Sequence, residues 1–158
     1  MAAELFWSNV NTDPKRRFRF TVGIGDIPIW TIKTAAKPQA AVSIVEHQFI
    51  NHTFKYPGRV TWENIQMTLV DPVNPDLAQT FLNKLRKSGY EYPKTSNVRE
   101  SMSKAKAVGA LGSIRISQID DKGTPIESWD LTNPFLTSID FGGNLDYTAD
   151  EMNEITIE

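Results

Sequence analysis

From Arg17 to Ile24 apolar side chains fall at every second position: Phe18, Phe20, Val22 and Ile24 alternate with Arg17, Arg19 and Thr21. That is the spacing of a strand with one dry face and one wet face. The same period returns along most of the chain, whereas a helical period of three to four appears once. The pattern restricts the fold to antiparallel sheets with a helix packed on them.

Gly25-Asp26 predicts a tight turn into a second strand, Ile27 to Lys33. After small residues from Thr34 to Ala41, Val42 to Phe54 reads as one long strand. Its apolar residues occupy both parities (Val45 and Phe49; Ile44, Ile50 and Phe54), so it needs cover on two sides, from its own core and from a neighbour. Tyr56-Pro57-Gly58-Arg59 supplies the turn, and Val60 to Val70 returns as the next strand. Asn74-Pro75-Asp76 predicts a helix start with Asn as cap, Pro at the first helical position and an acid facing the dipole. Leu77, Ala78, Phe81, Leu82 and Leu85 form its apolar stripe, Lys84, Arg86 and Lys87 its basic last turn, and Gly89 its stop.

Tyr90 to Ala107 keeps no period and reads as a long loop, with a helical turn near Val98 to Lys106 as its one candidate for regular structure. Loops of that length commonly contact another subunit. Strands resume over Leu111 to Ile119, Pro125 to Leu131, Phe135 to Phe141 and Ile155 to Ile157, with turns at Asp120-Asp121-Lys122-Gly123 and Gly142-Gly143-Asn144. The expectation is a mainly β, antiparallel sandwich or small barrel of about seven strands with one packed helix, a single domain over residues 1–158. An extended arm over residues 1–16 precedes it, and its Phe6 and Trp7 need a surface to sit on.

Charge narrows the function. Seventeen Lys plus Arg against nineteen Asp plus Glu leave a net charge of -2, too balanced for a protein whose affinity rests on neutralising phosphates. The absence of cysteine excludes disulfides, thiolate zinc sites, iron–sulfur clusters and thiol nucleophiles. No apolar run approaches the roughly 18 residues of a membrane span, and the N-terminus has no leader-like pattern, so neither anchoring nor secretion is expected.

Catalytic chemistry finds no constellation. His47 and His52, five apart in a strand, would point to opposite faces and could not share a metal. No glycine-flanked serine of the nucleophile-elbow type accompanies them. Val22-Gly23-Ile24-Gly25-Asp26 is followed by a strand and not by the helix a phosphate loop requires, and Asp120-Asp121-Lys122-Gly123 lacks the spacing of a calcium loop. No catalytic, metal or cofactor residues are therefore expected, and no enzyme. Carboxylates gather at Asp140, Asp146, Asp150, Glu151, Glu154 and Glu158, and basic residues between Lys84 and Lys106. This reads either as a solvated surface or as complementary faces of two copies. Trp62 and Trp129 sit in strand patterns where each could fill the core, and Asn133-Pro134 forces an extended break between two strands.

The run Phe49-Ile50-Asn51-His52-Thr53-Phe54-Lys55-Tyr56-Pro57-Gly58-Arg59-Val60-Thr61-Trp62-Glu63 resembles a segment of the contractile-tailed bacteriophage (myovirus, T4-like) tail tube proteins. A second run, Trp129-Asp130-Leu131-Thr132-Asn133-Pro134-Phe135-Leu136-Thr137-Ser138-Ile139-Asp140-Phe141-Gly142-Gly143, with Leu145-Asp146-Tyr147 and Glu154-Ile155-Thr156-Ile157 beyond it, is similar to that family's ending.

The resemblance implies a virion tail subunit, assembled in the host cytoplasm, forming stacked homohexameric rings inside a contractile sheath. Its implied partners are further copies, the sheath protein, the baseplate or tube initiator, the tail terminator, the tape measure protein, and viral DNA passing without specific binding. Phe6, Trp7, Phe54, Tyr56, Pro57, Arg59, Tyr90, Tyr92, Arg99, Lys104, Asn133 and Phe135 are then candidate inter-subunit contacts. Glu46, Asp140 and Glu154 are candidates for the lumen or an acidic contact surface. Competing readings are a tube initiator, the tube of a phage-derived injection device and, from another class, a small carbohydrate-binding sandwich.

Overall fold

The computed structural model describes residues 13–158. Their order is β1 (Phe20–Ile24), a short 3-10 turn (Ile29–Thr31), β2 (Ile32–Ala35), β3 (Ala40–Phe49), β4 (His52–Trp62), β5 (Met67–Val70), α1 (Leu77–Lys87), α2 (Lys104–Leu111), β6 (Ile114–Ile119), β7 (Pro125–Leu131), β8 (Ile139–Asp140) and β9 (Glu154–Ile157). The mainly β, antiparallel class holds, with nine strands and two α-helices among the described residues where about seven and one were expected.

One sheet runs β1-β6-β7 and a second β2-β5-β9-β8, all pairs antiparallel. Val22, Ile24, Ile114 and Ile116 from the first sheet and Met67, Leu69, Ile155 and Ile157 from the second join one buried cluster, with Leu77 and Phe81 of α1 and Leu111 of α2. Alternation thus does in β1 what it implies, except that Phe18 precedes the strand and is exposed. Asp76, two residues past the expected Asn74, caps α1 by accepting a hydrogen bond from Gln79 N at 2.9 Å. Lys84 is not part of a solvated basic end: it is buried, and its Nζ donates to Asp26 Oδ1 at 2.9 Å and to the Ala110 carbonyl at 3.3 Å. That contact ties α1 to the turn after β1 and to the end of α2, and it holds the Asp26 carboxyl below its usual range.

Several boundaries depart from the sequence reading. Ile27 to Lys33 is not a strand returning beside β1; a bridge from Ile24 to Ile27 and a 3-10 turn lead into β2, which pairs with β5 in the other sheet. The expected loop to Ala107 ends in α2, capped by Ser103 Oγ accepting from Lys106 N at 3.2 Å. Leu111 closes that helix and does not open a strand. Of Phe135 to Phe141, Ile139–Asp140 alone forms a strand, with Thr137 N donating to Glu158 O at 2.8 Å and Glu158 N to Ser138 O at 3.0 Å just before it.

The largest revision concerns residues 40–70. The hairpin turns at Ile50-Asn51, between the paired Phe49 and His52, and not at Tyr56 to Arg59. Pro57 and Gly58, strong turn formers, lie inside β4 where the register shifts between Val42 and Ile44. A bulge tolerates the missing proline N–H, and a Cβ on Gly58 would lie 2.3 Å from Ser43 Oγ, the atom that accepts from Arg59 N at 2.8 Å. The proposed strand Val60 to Val70 is likewise broken after Trp62. The ladder survives through Glu63 N to Gln39 O and Ala36 N to Gln66 O, both 2.9 Å, with Pro38 between them lacking a donor. Ile32 to Val70 is therefore one long hairpin, interrupted at its root and bulged near its middle.

Candidate assembly interface

Among the described residues, β3 and β4 pair beyond the root only with each other. At about 3.4 Å per residue their ten-residue ladder reaches about 34 Å. From the register, Val45, His47, Phe49, His52, Phe54 and Tyr56 share one face, and Val42, Ile44, Val60 and Trp62 the other. The two histidines thus share a face, against the sequence expectation, because the chain reverses between them; His52 packs edge-on against Phe54 with ring centroids 4.6 Å apart. Apolar side chains on both faces stand exposed, from Phe54 at 44% to Trp62 at 63% and Ile50 at 89%. An isolated two-stranded ribbon is marginal in water, and both its edges offer unpaired backbone groups. The accessible surface of 12556 Å² compares with about 8,000 Å² for a compact chain of this mass; that excess is more than twelve fully extended residues, at roughly 2,000 Å², would supply.

At the root lies an open, largely apolar cleft of about 670 Å³. Trp62 and Ile65 form one side and Trp129 to Leu136 the other, over the edges of Met67, Leu111, Ile114 and Ile157. Asn133, at φ 52, turns the chain along this rim, and Phe135, half exposed, borders it. Beside the cleft, Glu127 gathers three donors. Lys15 pairs with one carboxylate oxygen, while Lys37 Nζ (2.8 Å) and Trp129 Nε1 (2.6 Å) meet the other. In that order of strength they hold the carboxyl at about 2. Lys37 also donates to Gln118 Oε1 at 2.7 Å, so the hairpin's root is fastened to β6 and β7.

The remaining candidate residues scatter. Phe54, Tyr56, Pro57, Arg59 and Glu46 all ride on the hairpin, Glu46 within 3.7 Å of Lys55. Tyr90, Tyr92 and Arg99 are exposed in the segment before α2, and Lys104 opens that helix. Asp140 Oδ1 accepts from Gly142 N at 3.1 Å, and Glu154 pairs with Lys33, so both are engaged within their own sheet region. Phe6 and Trp7 lie outside the described residues. Trp62 is not a core residue, and with Val42, Ile44, Phe49, Ile50 and Val60 it belongs to an exposed apolar set that the candidate contacts do not include. The double-parity pattern in this region was the signal for them. Among the described residues no group of three or more His, Cys, Asp or Glu is arranged to hold a metal.

No protein-family model and no curated protein matches this sequence. Solved structures do match in fold. A chain of the anti-feeding prophage baseplate, 6-fold symmetrised, superimposes with a TM-score of 0.63 at 12% identity, over 92% of this chain and 90% of that one. A chain of the sheath/tube terminator of an extracellular contractile injection system gives 0.63 at 22% identity, over 93% of each chain. A chain of the sheath-tube complex of such a system in its extended state gives 0.59 at 20% identity, over 98% of this chain and 93% of that one. The architecture is therefore that of a tail-tube-like β fold, shared with chains found in contractile, phage-tail-like particles.

Proposed function

We propose that this chain is a non-catalytic structural subunit of the tube in a contractile tail-like particle. Copies form homomeric rings, six-fold by analogy, that stack into a channel within a sheath. The observation that carries the reading is the β3–β4 hairpin, apolar on both faces and, among the described residues, unpaired at both edges, on a fold shared with chains of baseplate, terminator and sheath-tube structures. In this reading Phe54, Tyr56, Pro57 and Arg59 contact neighbouring copies through the hairpin. Phe6 and Trp7, Tyr90, Tyr92, Arg99 and Lys104, and Asn133 with Phe135, supply further contacts, while Glu46, Asp140 and Glu154 face the lumen or a basic partner. Sheath, baseplate or initiator, terminator and tape measure are the remaining partners, and the cargo slides past a lumen with little basic charge.

A second reading, a phage-derived injection device in place of a virion, is favoured by the kind of particle among the structural likenesses. Negative-stain microscopy of the protein across a concentration series, beside its sedimentation profile, tests the assembly reading. Rings or hollow tubes of uniform width that vanish in a Phe54→Ser, Val60→Ser variant of unchanged circular dichroism are the expected result. A wild type that stays monomeric even when a baseplate-like template is added would overturn it.

A further inference from the structure

Charge is divided along the sequence, and the fold carries that division to the two ends of one helix. From Gly123 to Glu158 the chain holds no lysine or arginine, and residues 141–153, which join β8 to β9, carry Asp146, Asp150 and Glu151. Both ends of this loop are pinned at Asn153. Its Nδ2 donates to the Phe141 carbonyl and to Asp71 Oδ2, each at 3.4 Å, and its carbonyl accepts from Asp71 N at 3.0 Å. The other Asp71 oxygen accepts at 3.2 Å from the N–H of Leu77, the first residue of α1. The acidic loop is therefore mounted at the N-terminal end of that helix.

Basic residues stand at its other end. Arg86 and Lys87 close α1, and the chain leaves at Gly89 and returns to the same place, where a Cβ on Gly89 would lie 2.6 Å from the Ser101 carbonyl oxygen. Lys94 and Arg99 ride on the excursion between, and Lys104 and Lys106 open α2 behind it. The eleven residues of α1 set the two ends about 16 Å apart. The molecule is thus strongly dipolar although its net charge is only -2.

Each end also offers apolar surface. Leu145 is 93% exposed, and Tyr147 and Met152 are exposed on the same loop; at the basic end Tyr90, Tyr92 and Met102 are exposed. Some of the charge is used within the chain, since Glu154 takes Lys33 at the edge of the acidic loop and Glu100 lies 3.6 Å from Lys106. Among the described residues, however, Asp150 and Glu151 pair with no cation, and Lys94 and Arg99 with no carboxylate. Opposite charge on two separate patches is the condition for a heterologous contact. Another copy of this chain carries the complement of both patches at once.

We propose that the acidic loop of one copy, residues 141–153, docks on the basic end of the next, residues 86–106, with the exposed tyrosines and methionines covering the space between the charges. This inference rests on the assembly reading above and names a pairing that joins successive copies head to tail.

The test exchanges the charges in the full-length protein and reads the critical concentration for assembly by sedimentation at low salt, where exposed charges are least screened. Asp150→Lys with Glu151→Lys makes both ends basic, and Lys94→Glu with Arg99→Glu makes both acidic. All four positions are exposed, so the circular dichroism stays that of wild type. Each paired variant raises the critical concentration at least about tenfold, because like charges then face each other. The chain with all four substitutions keeps the net charge and returns to within about threefold of wild type, and mixing the two paired variants restores assembly. If either paired variant assembles like wild type, the docking is wrong and the tube reading stands. Loss without rescue by the fourfold exchange refutes the pairing of these two ends, and a wild type that never assembles refutes both readings. The chain has no cysteine, so Tyr92→Cys with Tyr147→Cys gives a second readout. Oxidation of the assembled protein yields a ladder of covalent oligomers, whereas dimers from either substitution alone would show like ends meeting and overturn the proposal.

Discussion

Ile50 occupies the first position of the two-residue connection between β3 and β4 with φ 54, and its side chain is 89% exposed. Hairpin turns with positive φ at that position are ordinarily given to glycine. A β-branched side chain there costs about 1–2 kcal/mol of backbone strain. Ile50→Gly relieves the strain, while the greater freedom of glycine in the unfolded chain returns about 0.5–1 kcal/mol. The hairpin tip is left about 0.5–1 kcal/mol more stable, and amides near Gln48 and Thr53 should exchange about two- to fivefold more slowly in dilute monomer. Assembly should move the other way. Full burial of isoleucine is worth about 1.5–3 kcal/mol, so with 89% of the residue available to a partner, each tip contact loses about 1.3–2.7 kcal/mol. The critical concentration for assembly, measured by sedimentation, rises about ten- to a hundredfold. An unchanged critical concentration would refute the tip as a contact, and faster exchange would refute the strain argument.

Three further outcomes follow from the same geometry. Phe81→Ala, at a fully buried position, costs about 3–5 kcal/mol and lowers the calorimetric Tm by about 6–20 °C, whereas Phe54→Ala leaves the Tm of the sandwich within a few degrees. Gly58→Ala pushes against Ser43 Oγ and destabilises the β3–β4 ladder by about 1–3 kcal/mol; pairing it with Ser43→Ala restores part of the amide protection, a recovery that a general backbone defect would not show. Glu127 has its folded pKa held at about 2 against 4.5, so its stabilising contribution is complete above pH 4.5 and is lost as pH falls toward 2. Glu127→Gln should therefore show a smaller drop in Tm between pH 6 and pH 3 than wild type, and an equal drop would remove Glu127 from the acid response.

Alternation revealed β1, β6 and β9 because each has one buried face and one polar face, the condition under which period two is readable. It failed at the hairpin for an instructive reason. Both parities of β3 and β4 are apolar, and both faces stand exposed in the single chain; that same uniformity hid the reversal at Ile50-Asn51, where no glycine marks the turn. Pro57-Gly58 attracted the turn assignment because local chemistry cannot tell a turn from a bulge; the difference lies in Ser43 across the ladder. The second helix was missed because Lys104 to Leu111 is rich in alanine and small residues and carries little amphipathic signal. Of the candidate interface, the aromatic and proline residues of β4 were legible. Trp62 was not, because a tryptophan in a strand pattern looks the same whether it faces a core or a cleft.

The long hairpin enters and leaves the sandwich through a single sheet, β2 on one side and β5 on the other. β5 is an interior strand, hydrogen-bonded to β2 and to β9. Backbone bonds in antiparallel pairs lie across the strand direction, so a pull along the arm, which draws β2 and β5 the same way, loads the β5–β9 ladder in shear instead of peeling its bonds singly. In mechanical terms the arm is a cantilever whose load path ends in the middle of a sheet.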